Sequence, residues 1–182
     1  EALQDDPSAY VRRSVANHLN DIAKDHPALV VDWVRRHRRD ATPERRALLA
    51  HASRTLIKQG HPGMLALWDA GARFAGEAAL QIAPRRVSVG DSVELTLSLR
   101  STSRRAQKLL IDYAVHHVKA DGGTSAKVFK GWKIELAPGE ERTLTKRHSF
   151  RPVTTRRYHP GRHAIEVSIN GRVCAEAALN LR

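Results

Sequence analysis

The sequence predicts a two-domain α plus β protein, in which a segment of antiparallel helices precedes an immunoglobulin-like antiparallel β-sandwich. Apolar residues recur at helical spacing as far as Phe74 and at period two beyond Gly76. The pair Asn170-Gly171 separates the last two apolar runs and favours a type I′ hairpin. These observations place a helical domain at residues 1–76 and a β-domain at residues 77–182.

The helical domain carries four apolar stripes, the last in a helix from Pro62 to about Phe74. Thr42 is expected to cap the third helix, with Pro43 at its first position, where the missing N–H costs nothing. Helical hairpins of this kind are the units of a solenoid, and each unit buries its faces against neighbours. We therefore expect the chain to be a fragment that earlier repeats precede. The stripes contain Val11, Val15, Leu19 and Ile22, then Leu29, Val30, Trp33 and Val34, then Leu48, Leu49, Leu56 and Ile57, then Met64, Leu65, Leu67 and Trp68.

The β-domain alternates apolar and polar residues in seven short runs. Seven strands with turns between them and no helical pattern are typical of an immunoglobulin-like sandwich. The only cysteine is Cys174, so no internal disulfide joins the predicted sheets, and a single cysteine fits a reducing cytoplasm. The predicted strands are 78–82, 93–99, 109–115, 128–136, 142–150, 163–169 and 173–181.

Net charge is the strongest global signal. Lys and Arg number 31 against 19 Asp and Glu, which gives a net charge of +12. Such a charge is typical of proteins that bind nucleic acid or anionic membranes, and a solvated basic surface is the alternative. Residues 1–76 carry 12 basic and 9 acidic side chains, whereas residues 77–182 carry 19 and 10. No apolar run approaches the roughly 18 to 20 residues of a membrane helix, so no membrane span is predicted.

The basic segment, defined as residues 146–163, has six Lys and Arg residues and no acidic residue. Cations near phosphates bind DNA by counterion release, and Arg or His in the minor groove reads its width. Tyr158 has a structural alternative as a tyrosine corner, with its hydroxyl bonded to the backbone. The predicted DNA contacts are Lys146, Arg147, His148, Arg151, Arg156, Arg157, Tyr158 and His159.

The adjacent residues His116 and His117 lie on one predicted strand and point to opposite faces, which disfavours a shared metal ion. No cysteine or carboxylate cluster accompanies them or the more distant His148 and His163, so no metal site is predicted. We expect one of the adjacent pair to lie in the core or at an edge and the other to contact the minor groove.

Three polar residues, Arg13, Asn17 and Asp21, recur every four positions and project from one side of the first helix. The structural interpretation is a satisfied network in which Arg13 and Asp21 each hold Asn17. The functional interpretation is a carboxylate held by an amide and flanked by cations, on the concave face of a solenoid.

Three stretches resemble one protein family. They are DDPSAYVRRSVANHLNDIAKDHP at residues 5–27, YAVHHVK at 113–119, and KRHSFRPVTTRRYHPGRH at 146–163. They resemble the bacterial AlkC-type DNA alkylation repair glycosylases, which consist of HEAT-like helical repeats and a C-terminal immunoglobulin-like domain. The resemblance spans nearly the whole chain.

The resemblance implies a base excision repair enzyme that hydrolyses the N-glycosidic bond of cationic alkylated purines, chiefly N3-methyladenine, in duplex DNA without a deep base pocket. It implies that Asp21 is catalytic, because a carboxylate stabilises an oxocarbenium-like sugar and positions water. Arg13 and Asn17 are then expected to contact DNA beside it. A second acidic residue comes from an earlier repeat in the family, so this chain alone is expected to be weak or inactive.

The same resemblance implies no cofactor, a monomer, and a bacterial cytoplasmic location that becomes nucleoid-associated on DNA. The alternative function is a non-catalytic, basic DNA-binding or protein-interaction scaffold. A scaffold has no turnover to lose when Asp21 is replaced, and this difference separates the two hypotheses.

Overall fold

The computed structural model describes residues 3–68, 72–154 and 157–182. The chain divides into two compact units, Glu1–Gly71 and Ala72–Arg182. The first unit is helical and the second is built of strands, which confirms the predicted fold class.

The second unit begins at Ala72 and not after Gly76, because the residues in between are bonded to the sandwich. The side-chain amide of Asn170 donates to the Ala72 carbonyl at 2.8 Å. The side chain of Gln107 accepts from the Ala75 N–H at 2.8 Å and donates to the Ala75 carbonyl at 3.0 Å. Residues 72–75 therefore belong to the β-unit, although their sequence shows no strand pattern.

The described residues form five helices in the first unit: α1 (Ala9–Asp25), α2 (Pro27–Arg38), α3 (Pro43–Ala52), α4 (Arg54–Lys58) and α5 (Pro62–Leu67). The predicted stripe of α1 is its packed face, where Ala16, Leu19 and Ala23 are buried. The predicted cap is also confirmed, because the Thr42 hydroxyl accepts a hydrogen bond from the Arg45 N–H at 3.2 Å. Proline at the first position of α2, α3 and α5 suits helix starts, which need no N–H there.

The third predicted helix is wrong as a single element, because it is interrupted at Ser53 between α3 and α4. Ser53 is fully buried, and its hydroxyl donates to the Leu49 carbonyl at 2.7 Å. The same hydroxyl accepts the indole N–H of Trp68 at 3.0 Å. The buried side chain of Asn20 bonds to backbone groups on either side of the break, as described below, so the break leaves these groups satisfied.

The fourth predicted helix was too long. The helix α5 ends at Leu67, and residues 69–71 lie outside the described part of the chain. Phe74 is 7% exposed and packs in the core of the sandwich, so its burial is decided by the β-unit.

The second unit has eight strands within the described residues: β1 (Gly76–Ala83), β2 (Arg86–Val87), β3 (Ser92–Ser101), β4 (Gln107–Val118), β5 (Thr124–Leu136), β6 (Glu141–Ser149), β7 (Gly161–Ile169) and β8 (Arg172–Leu181). The sequence predicted seven and missed β2. This strand has two residues, too few to show a period-two pattern, and pairs parallel to β8.

The strands form a three-stranded sheet in the order β1-β3-β6 and a five-stranded sheet in the order β2-β8-β7-β4-β5. All pairs except β2 with β8 are antiparallel. The faces of Leu95 and Leu97 on one sheet and of Ile165 and Val167 on the other are fully buried in one core. Asn170, at φ 50°, and Gly171, at φ 74°, form the predicted hairpin turn.

Among the helices of the described residues, none has both the length and the apolar character that a membrane crossing requires.

Candidate nucleic-acid interface

The basic segment runs from the end of β6, through the connection at residues 150–160, into the start of β7. Residues 155 and 156 lie outside the described residues, so the predicted contact Arg156 has no structural description. The remaining side chains of the segment separate into two groups. One group is buried under the connection and the other is exposed on it.

The buried group belongs to a ring cluster at this end of the sandwich. Neighbouring ring centroids lie between 4.9 and 6.3 Å apart, mostly edge to face, which is the favourable geometry for aromatic pairs. Phe150 lies at its centre and is fully buried. The ring cluster consists of Tyr113, His117, Phe129, His148, Phe150, Tyr158 and His163.

Two of the predicted DNA contacts, His117 and His148, lie inside the ring cluster, and His117 is thus the member of the histidine pair that lies in the core. His117 is 3% exposed and His148 is 5% exposed, and both pack inside the ring cluster. The phenol oxygen of Tyr113 lies 3.1 Å from Nδ1 of His148. Burial raises the pKa of Tyr113, so the phenol stays protonated at neutral pH.

His163 fastens the connection to the sandwich. Its Nε2 donates to the carbonyl of His159 at 3.1 Å, and its side chain is fully buried. Burial lowers the pKa of His163, and the hydrogen bond to His159 opposes this effect. His159 itself is half-buried, so its fixed feature is a backbone carbonyl.

Tyr158 is half-buried, and its ring lies 5.5 Å from that of His117 and 5.7 Å from that of Phe150. This packing anchors the connection through the ring of Tyr158, and the tyrosine-corner bond of its hydroxyl stays a prediction. Its exposed neighbour Arg157 is thereby held at the surface.

The exposed cations of the segment differ in their surroundings. Arg151 and Arg157 are exposed on the connection. Arg147 is exposed on β6, but it pairs in register with Glu94 of β3 and shares a hollow with Asp91. Two acidic neighbours reduce the local positive potential at Arg147, so it suits a phosphate less well than Arg151 or Arg157 does.

Lys146 is bonded within the protein. Its Nζ donates to the Gly131 carbonyl at 3.0 Å and lies 5.6 Å from the ring centroid of Trp132. Both partners are on β5, in the opposite sheet, so Lys146 joins the sheet edges across the sandwich. Any DNA contact made by this ammonium group competes with that bond.

His116 lies on the outer face of the five-stranded sheet, as the predicted alternation requires. Its Nε2 is 3.1 Å from Oε2 of Glu166, and the two side chains are 25% and 31% exposed. The sequence analysis did not identify Glu166. Its carboxylate lies beside His116, the member of the histidine pair that could reach DNA.

The predicted polar row of α1 lies at the surface of the helical unit, with Arg13, Asn17 and Asp21 all exposed. The bonding differs from the predicted network. Nε2 of His51, on α3, donates to the Asn17 side-chain oxygen at 2.9 Å. Asn17 therefore joins α1 to α3.

Asp21 forms an ion pair with Lys24 at 2.7 Å, and the two side chains are 69% and 63% exposed. The hydrogen bond from Lys24, and then its positive charge, hold the pKa of Asp21 below its ordinary value. The carboxylate is thus ionised at neutral pH, as a group that stabilises a developing cation must be.

Asn20, next to Asp21, is a residue that sequence reasoning missed. Its buried amide donates to the carbonyls of Ala16 at 3.1 Å and His51 at 2.7 Å, and its oxygen accepts from the Thr55 N–H at 3.2 Å. These bonds fix α1 to the break between α3 and α4. The signal for Asn20 in the sequence was an asparagine at one position of an otherwise apolar stripe.

No group of three or more His, Cys, Asp or Glu side chains in the described part of the chain is arranged to hold a metal ion. The helical unit thus offers one ionised carboxylate and, on the same helix face, an exposed amide paired with an imidazole, and the β-unit, described by itself, offers a cationic connection.

Comparison with known proteins identifies the family. Residues 77–182 match the protein-family model described as "Uncharacterised protein YhaZ, C-terminal Ig-like domain". The chain belongs to this family. The uncharacterized protein YhaZ of Bacillus subtilis (strain 168) is 39% identical over 182 residues, which cover 95% of this chain and 48% of that protein.

A solved structure also matches the whole chain. The Pseudomonas fluorescens alkylpurine DNA glycosylase AlkC, bound to DNA containing an abasic site analog, has a TM-score of 0.92 and 38% sequence identity. The match covers 100% of this chain and 50% of AlkC, which confirms the resemblance to AlkC-type proteins. The chain spans about half the length of each of these two proteins.

Proposed function

We propose that this chain belongs to a DNA alkylation repair glycosylase that releases cationic alkylated purines, N3-methyladenine among them, from duplex DNA. One observation carries the proposal: the whole chain superposes on an alkylpurine DNA glycosylase in complex with DNA at a TM-score of 0.92. At 38% identity this similarity extends beyond a shared fold. The net charge of +12 suits a polyanionic partner.

Asp21 is the proposed catalytic residue. An alkylated purine already carries positive charge, so it leaves with little help from a general acid. The remaining barrier is the positive charge that develops on the sugar, and an ionised carboxylate stabilises that charge and orients a water molecule. The lowered pKa of Asp21 supports this role, because the group keeps its charge at neutral pH. No deep base pocket is required for it.

DNA binding is assigned to exposed cations on both units. On the β-unit these are Arg151 and Arg157, with Arg156 between them in sequence, and they contact phosphates or the minor groove. On the helical unit Arg13 and Asn17 contact DNA beside Asp21. Lys146, Arg147, His116 and His159 contribute less, because each is engaged or flanked as described above.

The lengths of the matched proteins support a proposal about the activity of this chain. Both matched proteins are about twice as long as this chain. We assign full activity to a full-length protein that carries these residues and a second acidic group, and weak or no activity to the 182-residue chain. The proposed partner is duplex DNA of a bacterial chromosome, bound by a monomer in the cytoplasm.

The deciding experiment measures N3-methyladenine release from alkylated duplex DNA by the full-length protein and its Asp21→Asn variant. We expect release to fall by about a hundredfold or more while DNA affinity is retained, because removing an electrostatic stabiliser acts on the transition state. Asp32→Asn is the matched control. Asp32 forms the same type of exposed ion pair, with Arg35 at 2.5 Å, but on α2.

A wild-type protein that binds DNA and releases no base contradicts the proposal and leaves the non-catalytic scaffold. A loss of release that is equal in Asp21→Asn and Asp32→Asn also contradicts the role of Asp21. Such a result would mean that release falls because a helix loses an ion pair, an interaction that adds little stability at the protein surface.

A further inference from the structure

A hollow on the β-unit, of about 410 Å³, carries two arginines and no carboxylate among its lining residues. It lies where the first residues of β1 meet the first residues of β8. Arg73 and Arg172 line it, together with the thiol of Cys174. We call it the arginine hollow.

Arg73 is presented to the arginine hollow by a fixed backbone. Its neighbour Phe74 is buried in the sandwich core. The backbone of Ala72 is bonded to Asn170, and that of Ala75 to Gln107. Because residues on both sides are held, the backbone of Arg73 is fixed before any ligand arrives, which lowers part of the entropic cost of binding.

The two arginines of the arginine hollow have no ion pair with any residue that the structure describes. Arg100 on β3 is the contrast, since it lies 3.8 Å from Glu77 and 3.7 Å from Glu141. These three residues line a hollow of about 390 Å³ whose charge is therefore compensated. Two guanidinium groups that no described residue compensates raise the local positive potential around the hollow, and an anion relieves their repulsion.

We propose that the arginine hollow binds a phosphodiester group of the DNA backbone. This inference rests on the proposed function. Guanidinium groups match phosphate oxygens through paired N–H donors, which favours a phosphate over a single-atom anion. The Cys174 thiol donates to the Arg172 carbonyl at 3.3 Å, so the thiol is engaged by the same turn that presents one of the cations.

The position of the arginine hollow suits a duplex that also meets the basic segment. Strand β7 starts at Gly161, within the basic segment, and leads to the hairpin that precedes Arg172. Its nine residues span about 30 Å, close to the roughly 34 Å of one turn of duplex DNA. Strand β7 therefore separates the two cationic regions by about the length of one duplex turn.

The first test compares DNA affinity of the full chain at several salt concentrations. We expect the double variant Arg73→Ala, Arg172→Ala to bind duplex DNA on the order of tenfold more weakly. The slope of log affinity against log salt should fall by about one, the value for a single phosphate contact. Arg100→Ala is the matched control, and it should leave affinity and slope unchanged.

The second test uses Cys174, the only cysteine of the chain, as a reporter. Duplex DNA should slow alkylation of the thiol in the wild type and in Arg100→Ala, but not in the double variant. Inorganic phosphate is the second arm. Protection by millimolar phosphate without protection by DNA overturns the assignment of the ligand as a DNA phosphodiester.

The remaining outcomes separate the two proposals. If the wild type and the double variant bind DNA equally, with equal slopes and no protection of Cys174, the arginine hollow is not a DNA site and the proposed function stands. If neither the wild-type chain nor the full-length protein binds DNA at any salt concentration, both proposals fail. Equal thermal unfolding of the wild type and the double variant shows that loss of binding is not loss of folding.

Discussion

Nε2 of His163 donates a hydrogen bond to the backbone carbonyl of His159, 3.1 Å away, and so closes the connection between β6 and β7 onto the sandwich. The imidazole is fully buried beside the rings of His117 and Phe150. Burial lowers the pKa of His163, so the ring is neutral in the folded protein at neutral pH. A neutral buried group thus anchors the most basic connection of the chain.

Acidification should destabilise the protein through His163. The pKa of His163 in the unfolded chain is about 6.5, above its value in the fold. Below about pH 6.5 the unfolded state therefore binds the proton more readily, and stability is lost as the pH falls towards the folded pKa. We expect the free energy of unfolding in urea to decrease by at most about 1.4 kcal/mol per pH unit from this group.

The variant His163→Phe isolates this effect from the other two histidines of the ring cluster. It keeps a ring at the position but removes the titrating group, so the pH dependence between 6.5 and 5.5 should become shallower. An unchanged pH dependence in His163→Phe would assign the acid sensitivity to other groups.

Asn20→Ala should destabilise the helical unit strongly. The substitution leaves the Thr55 N–H and the His51 carbonyl without their buried partner, which costs about 2 to 4 kcal/mol for the two groups together. Urea unfolding, followed by circular dichroism at 222 nm where helices give a strong signal, measures this loss of stability. Asn17→Ala is the control, because its bond to His51 is exposed and should contribute less than about 1 kcal/mol. Equal losses in the two variants would contradict this account.

Gly131→Ala should destabilise the sandwich. A Cβ at this position would lie 2.5 Å from the Ile111 carbonyl oxygen, so the backbone of β4 or β5 must shift. Overpacking of this kind costs about 1 to 3 kcal/mol, which a denaturant melt of the full chain measures. At Gly123 the nearest atom would be the flexible Asp121 carboxylate at 3.1 Å, so Gly123→Ala should be tolerated better. Gly131 is the extra residue of β5 where its register with β4 shifts between Ile111 and Asp112. The reverse order would show that this bulge adapts without cost.

Removal of Arg157 should weaken DNA binding more than removal of Arg147. Both side chains are exposed, but Arg147 pairs in register with Glu94. We expect Arg157→Ala to lower the slope of log affinity against log salt by about one, and Arg147→Ala to lower it by less. Titrations of duplex DNA at four salt concentrations provide both slopes. A larger effect at Arg147 would move the DNA surface from the connection to β6.

Much of the fold follows from local patterns. The change from helical spacing to period two separated the helical part from the strands, and Thr42 with Pro43 marked the start of α3. Alternation along β4 placed His116 and His117 on opposite faces of the strand, as the structure has them. These features depend on neighbouring residues in the chain, so a sequence contains the information to predict them.

The candidate site depended more on tertiary contacts. The break at Ser53 is stabilised by Asn20 and Trp68, which are distant in sequence. The composition of residues 146–163 showed a basic segment without acidic residues. The carboxylate opposite Arg147 belongs to Glu94 on β3, and only the pairing of β3 with β6 brings it there.

The sequence by itself determined the fold class, the hairpin turn and the family resemblance, because periodicity and motifs are properties of consecutive residues. Only the tertiary structure decided which histidines are buried, that Lys146 bonds to Gly131, and that Arg73 and Arg172 line one hollow. The physical reason is that burial and charge compensation depend on groups that folding brings together from distant parts of the chain.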